Sequence, residues 1–124
     1  MNVPKDLKYT KEHEWVKDLG EGTYLIGISD YAQEQIGDVS YVELPEVGDS
    51  FSAGDVMCTV ESFKAASEIY APFDLTITQV NEALEDAPEA VNEDAYKAYL
   101  VKASSKGDSE LLTAEDYKKM VEGE

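Results

Sequence analysis

Apolar positions along this chain recur at every second residue, in short runs broken by Gly, Pro and Asp. Thr23–Ser29 (TYLIGIS) is rich in β-forming residues and follows a Gly-Glu-Gly turn, which predicts a strand entered from a hairpin. Ser40–Leu44 (SYVEL) alternates and ends at Pro45. Val56–Glu61 (VMCTVE) sets Val56, Cys58 and Val60 against Met57, Thr59 and Glu61, the pattern of a half-buried strand. Ala66–Ala71 (ASEIYA), Leu75–Val80 (LTITQV) and Tyr96–Lys102 (YKAYLVK) are predicted as further strands, the last of them closing the sheet region.

Helical signals are few. Ser29 or Asp30 can cap a short helix over DYAQEQIG, with Gly37 as its stop. Thr113 begins a capping box with Asp116 ahead of AEDYKKMVEG, whose lysines fall near the negative end of the helix. EVGDSFSAGD reads as connected turns, the acidic stretch NEALEDAPEAVNED as a surface loop or helical turn, and Ser104–Ser109 as a polar linker. The expectation is a mainly β chain, a small antiparallel sandwich or barrel with short helices. It forms one domain over residues 1–124, with a core at about 7–103 and a C-terminal helical segment at about 109–122.

Composition narrows the function. The 124 residues are 43 % hydrophobic, enough for one modest core, and no apolar run approaches the roughly 20 residues that span a bilayer. MNVPKDLKYTKEHEW has neither an apolar signal core nor the Arg-rich character of a transit peptide. A cytoplasmic protein is expected, or a mitochondrial-matrix one if a transit peptide has been removed. Twenty-seven Asp and Glu against 10 Lys and no Arg give a net charge of −17. Such a surface repels phosphate backbones and anionic lipids, so nucleic acid and membranes are not expected partners. It favours partners with basic docking faces.

One Cys and one His leave little room for chemistry by side chains alone. Cys58 cannot form an internal disulfide, and a Cys/His metal site needs more ligands than the pair supplies. Cys58 is expected as a packed core thiol. No phosphate loop and no nucleophile-base constellation has its local signature here. Attention falls on Lys64, between the arms VMCTVE and ASEIYA, at the tip formed by Ser62, Phe63, Lys64 and Ala65. Without Gly or Asn, an ordinary type I turn is expected over a primed one. A lysine there points into solvent on a rigid mount. From spacing alone it is a solubilising residue or an attachment point.

TVESFKAASEIYAP resembles the lipoyl-lysine motif of the glycine cleavage system H protein family, an ESxKA core followed by an aromatic-Ala-Pro. LKYTKEHEWV, IGISDYAQEQIGDV, VELPEVGD and NEALEDAPEAVNED match the same family in order, so the likeness covers most of the chain through Asp94. The resemblance implies a fold of the lipoyl/biotinyl-carrier type and a carrier rather than an enzyme. Lys64 would bear lipoate in amide linkage, attached by a lipoate ligase or a lipoyl/octanoyl transferase. The carrier, expected as a monomer, would take an aminomethyl group from glycine decarboxylase to aminomethyltransferase and reducing equivalents to dihydrolipoamide dehydrogenase. Glu14 and Glu68 match residues of the cleft that shelters the loaded arm. Ser62 falls in the arm or ligase-recognition region, and His13 can add a hydrogen bond.

The chain departs from the family pattern after Ala71-Pro72. It has Phe73-Asp74-Leu75 where the family has a Ser-Gly step, so a positive φ at Leu75 would cost about 1–2 kcal/mol unless the turn is rebuilt. It has NEDAYKAYLVK, around Ala98, in place of a glycine- and tryptophan-bearing stretch, and Phe63 in place of a small aliphatic residue. A platform relaying lipoyl groups to other complexes, and a diverged unmodified scaffold, are the alternatives the same residues leave open. A biotin carrier is disfavoured by Phe63 and Ala65 where methionines flank the lysine.

Overall fold

The computed structural model describes residues 2–107 and 111–123. The chain opens with β1 (Lys8–Tyr9), β2 (Glu14–Gly20) and β3 (Thr23–Ile28), then α1 (Asp30–Ile36). β4 (Val39–Glu43), β5 (Ser50–Phe51), β6 (Val56–Ser62), β7 (Ala66–Tyr70) and β8 (Leu75–Val80) follow. Two single-turn helices, α2 (Ala83–Asp86) and α3 (Ala90–Glu93), precede β9 (Val101–Ser104) and α4 (Ala114–Glu122). The strands form a six-stranded sheet in the order β1-β2-β3-β9-β8-β5 and a three-stranded sheet β4-β6-β7. All pairings between these strands are antiparallel, as the hydrophobic alternation predicts.

Local chemistry sets the boundaries. The β2–β3 hairpin turns through Gly20, Glu21 and Gly22, all at positive φ. Ser29 caps α1 by accepting a hydrogen bond from Ala32 N (3.2 Å), and Thr113 caps α4 through Asp116 N (3.2 Å). EVGDSFSAGD is two copies of one turn. Asp49 accepts from Glu46 N (2.9 Å) and Asp55 from Ser52 N (2.8 Å). Between the copies lies β5, too short to leave a periodic signal.

Val16, Ile26, Ile28, Val42, Val60, Ile69, Ile77 and Val101 belong to the main core cluster, which both sheets supply. Each such side chain contributes roughly 1.5–3 kcal/mol by leaving water. A second cluster gathers Leu7, Tyr9 and Trp15 under α4, which buries Ala114, Tyr117 and Val121 at helical spacing. Tyr9 and Tyr117 stack with ring centroids 4.6 Å apart.

Several expectations are corrected. The last strand is Val101–Ser104, not Tyr96–Lys102. Lys97 N and Ala98 N both donate to Asp94 O and Trp15 Nε1 donates to Ala95 O (3.0 Å), so this segment is a turn packed on Trp15 with its N–H groups used locally instead of in a ladder. Simple alternation also fails in β4 and β6, where bulges fall between Val39 and Tyr41 and between Val56 and Cys58. In β6 the bulge buries Met57 and Cys58 together and leaves Val56 43 % exposed. Cys58 is a free, buried thiol, as expected.

Leu75 carries no left-handed strain: it begins β8 and is buried, and among the described residues the positive-φ ones other than glycine are His13 and Glu21. The turn before it is rebuilt around Asp74, which accepts from Ala53 N (2.9 Å). Of the two readings of the acidic stretch at 81–94 the helical turn holds, twice over in α2 and α3, and Leu84 and Val91 are buried in the core. The predicted start of the C-terminal segment near 109, and the linker end at Ser109, lie outside the described residues. Among the described residues no helix is long and apolar enough to cross a membrane.

Candidate functional site

The β6–β7 tip is a two-residue loop, Phe63-Lys64, closed by Ser62 and Ala65. Ser62 N donates to Ala65 O (2.8 Å). The Ser62 hydroxyl oxygen accepts from Lys64 N (3.1 Å) and Ala65 N (3.2 Å) and donates to Ala65 O (3.2 Å). No tip residue has positive φ, which excludes a primed turn. Phe63 N donates to Asp38 O (3.4 Å), fastening the tip to the connection between α1 and β4. Lys64 therefore sits on backbone fixed from two sides.

The Lys64 side chain does not project straight into solvent. It lies across Gly37, so closely that a Cβ there would meet Cε at 2.8 Å and Nζ at 3.2 Å. Gly37 has φ 86° and ψ −161°, a conformation reserved for glycine, and its N–H donates to Gln33 O. Asn92, which no sequence pattern singled out, holds this corner. Its Oδ1 accepts from Val39 N (2.8 Å), and its amide donates to Gly37 O (2.9 Å) and to Gln33 Oε1 (2.9 Å). One side chain thus ties α3 to the end of α1 and the start of β4.

From the tip, β7 leads to a cleft. Ala66, Glu68 and Tyr70 fall on one face of β7 by its two-residue period, and the run spans about 13 Å at 3.3 Å per residue. Beyond it opens a cleft of about 800 Å³ whose lining includes Thr10, Glu12, Glu14, Tyr70, Pro72 and Leu112. Glu68 is exposed midway along this path.

Glu14 is placed differently from a solvated cleft carboxylate, being only 1 % exposed. Its Oε1 accepts from the Thr10 hydroxyl (2.9 Å) and its Oε2 from Tyr70 N (3.0 Å), the edge of β7. The carboxyl of β2 thereby pins the three-stranded sheet to the six-stranded one. Burial raises its pKa to about 7, although the hydrogen bonds from Tyr70 and Thr10 act in the opposite direction. An uncharged neighbour or an incoming cation would find a carboxyl poised between its two states. Glu14 and Glu68 are thus brought to one path, and Ser62 is built into the turn itself. His13 serves the second core: its Nδ1 lies 2.8 Å from the Tyr117 hydroxyl, which is also 2.6 Å from Ser29 Oγ. Burial pushes the Cys58 thiol up to about 12, so it stays protonated and unreactive.

A family profile described as "Glycine cleavage H-protein" matches residues 7–124. A "Probable glycine cleavage system H protein" of Thermococcus gammatolerans is 52 % identical over 124 residues, 97 % of this chain and 92 % of its own. A "Glycine cleavage system H protein" of Pseudoalteromonas translucida is 52 % identical over 120 residues, covering 94 % of this chain and 93 % of its own. In three dimensions the chain is similar to the crystal structure of a glycine cleavage system H protein from Mycobacterium marinum. The TM-score is 0.91 at 36 % identity, over 97 % of this chain and 99 % of that one.

Proposed function

This chain belongs to the glycine cleavage H-protein family, a family of carriers rather than catalysts, and on that premise we propose that Lys64 is its lipoyl attachment residue. The observation that carries the proposal is the tip itself. Lys64 is an exposed residue on a turn in which the Ser62 hydroxyl accepts from the N–H groups of Lys64 and Ala65. A modifying enzyme meets a fixed backbone and a reachable nitrogen. Bound lipoate supplies a dithiolane that can take up a one-carbon amine fragment and later be re-oxidised to the disulfide.

The chain's own residues fit such a group. Lys64 supplies the amide nitrogen, and the exposed face of β7 offers a path of about 13 Å toward the cleft. A cleft of about 800 Å³ with a buried carboxyl at its wall suits a cationic amine at the arm's end. Glu14, its pKa near 7, can give up its proton and hold such an amine by charge. Glu68 adds an exposed carboxylate along the way. Tyr70 and Leu112 at the cleft wall would limit the access of solvent to water-sensitive cargo held there.

The partners proposed are glycine decarboxylase, aminomethyltransferase and dihydrolipoamide dehydrogenase, met by a cytoplasmic monomer whose charge of −17 steers it to basic faces. Lipoate would be attached by a lipoate ligase or by a lipoyl/octanoyl transferase. The test is intact mass after co-expression with a lipoate ligase and free lipoate. One lipoyl group gained by the wild type and none by Lys64→Arg is the expected result. An unmodified wild type, under conditions that load another carrier, would reject the assignment.

A further inference from the structure

Phe63 adjoins Lys64 and is 83 % exposed, more than Leu19, Tyr41, Val47 or Val56. A lone exposed apolar residue is ordinary. This one borders a groove of about 570 Å³, shared with Asp38, Ser40, Pro88, Glu89, Asn92 and Glu93. All ionisable groups lining the groove are carboxylates, and Asp38, Glu89 and Glu93 are exposed. The groove is also stiff. Phe63 N is hydrogen bonded to Asp38 O, and Asn92 joins α3 to Gly37 and Val39 across its floor. An apolar knob beside a preformed acidic groove is half of an interface.

We propose that Phe63 and this acidic groove form the docking surface for the enzyme that acylates Lys64, which presents an apolar socket edged by Lys or Arg side chains. The inference rests on the reading of Lys64 as the attachment residue. Position selects the occupant. The acylating enzyme must bring an activated carbonyl carbon to Nζ itself, so the residue beside Lys64 lies inside that interface. Enzymes that work on the far end of a lipoyl arm act an arm's length from the tip. Charge fits the same partner, because carboxylates around an apolar contact hasten encounter with a basic rim and suppress acidic competitors. In the step served, the Lys64 ammonium gives up a proton and Nζ attacks the carbonyl of an acyl adenylate made from ATP. The C–N amide bond forms, the C–O bond to the phosphate breaks, and AMP leaves with the electron pair as the nitrogen loses a second proton.

The experiment follows initial rates of acylation by a lipoate ligase, with ATP and lipoate saturating, against carrier concentration. The carriers are wild type, Phe63→Ala, Phe63→Leu and the triple variant D38N/E89Q/E93Q. Phe63→Ala is expected to raise KM for the carrier about tenfold with kcat unchanged, as for loss of one apolar anchor, and Phe63→Leu to restore most of it. The triple variant is expected to raise KM at low salt, the difference shrinking at high salt. Equal KM for all four carriers would overturn the inference. So would a KM that is unchanged with the ligase but raised when the four carriers, once lipoylated, are assayed as substrates of glycine decarboxylase, which would give the surface to that enzyme. A wild type that takes up no lipoyl group at all would instead overturn the assignment of Lys64, and this inference with it. Circular dichroism and urea midpoints verify that each carrier is folded. Should Phe63→Ala unfold, Phe63→Leu and the triple variant decide the matter alone.

Discussion

Gly37 and Lys64 meet across the gap between the end of α1 and the β6–β7 tip, where a methyl group on Gly37 would stand 2.8 Å from the lysine Cε. Two constraints converge on this glycine: its backbone at φ 86°, ψ −161°, and the lysine stem lying over it. Gly37→Ala should therefore cost more than the roughly 1–2 kcal/mol of backbone strain alone. Gly48→Ala is the milder reference, because Gly48 also has positive φ (96°) but a methyl group added there would meet nothing within 4 Å. Urea unfolding of Gly37→Ala and Gly48→Ala should show the larger loss at Gly37. Because the obstructing atoms are the flexible end of Lys64, Gly37→Ala made in a Lys64→Ala background should cost less than in the wild type, the remainder being the backbone strain at Gly37. An equal cost of Gly37→Ala in both backgrounds would mean that the lysine stem adds nothing to the backbone strain.

Asn92 contributes three hydrogen bonds that no other side chain at this corner replaces. Asn92→Ala leaves Val39 N and Gly37 O without their partner, at a cost of roughly 1–3 kcal/mol. Asn92→Asp keeps the acceptor for Val39 N but turns a donor into a negative oxygen facing Gly37 O and Gln33, and should be no better. Amide hydrogen exchange offers the specific readout. Protection should fall at Val39 and around Gly37 while β8 and β9, far from the corner, keep theirs. Uniform loss across the sheets would show a global effect instead.

Asn92 also shows where sequence patterns stop carrying information. The strands β3, β6, β7 and β8 and the caps Ser29 and Thr113 are legible because each depends on neighbours within a few residues. The role proposed for Lys64 rests on its surrounding motif. The contacts of Asn92 lie 53 to 59 residues away, and an acidic stretch gives no sign of them. Glu14 poses the same difficulty, since KEHEW looks solvated until Tyr70, 56 positions later, brings its N–H to the carboxylate. Bulges in β4 and β6 shift the inside-outside phase by one residue, which a strict two-residue period cannot represent.

Cys58 should be silent toward thiol reagents in the folded protein. It is 3 % exposed and its pKa is pushed up to about 12 by burial, with Glu14 and Glu43 adding to the effect, so almost no thiolate forms at pH 8. A chromogenic disulfide reagent should titrate no thiol in native unmodified protein and one equivalent in denaturant. Fast native reaction would mean that β6 opens locally near its bulge. The same silence matters for a dithiolane carrier, because an accessible cysteine would exchange with the arm.

Glu14 should make stability depend on pH in the direction opposite to most carboxylates. Its ordinary value is 4.5 and burial raises it to about 7, so between these limits the folded state holds more of this proton than the unfolded state does. The contribution of the protonated carboxyl is thus fully present below about pH 4.5, is lost as pH climbs to 7, and is level beyond. Its full size is about 3 kcal/mol, from 1.36 kcal/mol per pKa unit. Glu14→Gln removes the titration and leaves the other carboxylates in place. The stability of wild type minus that of Glu14→Gln, from urea unfolding, should fall between pH 4.5 and 7 and then stay constant. A difference that does not change with pH would place the Glu14 carboxyl in the ordinary range and take away its capacity to switch charge at neutral pH. In a lipoylated carrier loaded with an aminomethyl group, a cationic amine seated beside Glu14 would favour the carboxylate, and the fall should then shift toward lower pH.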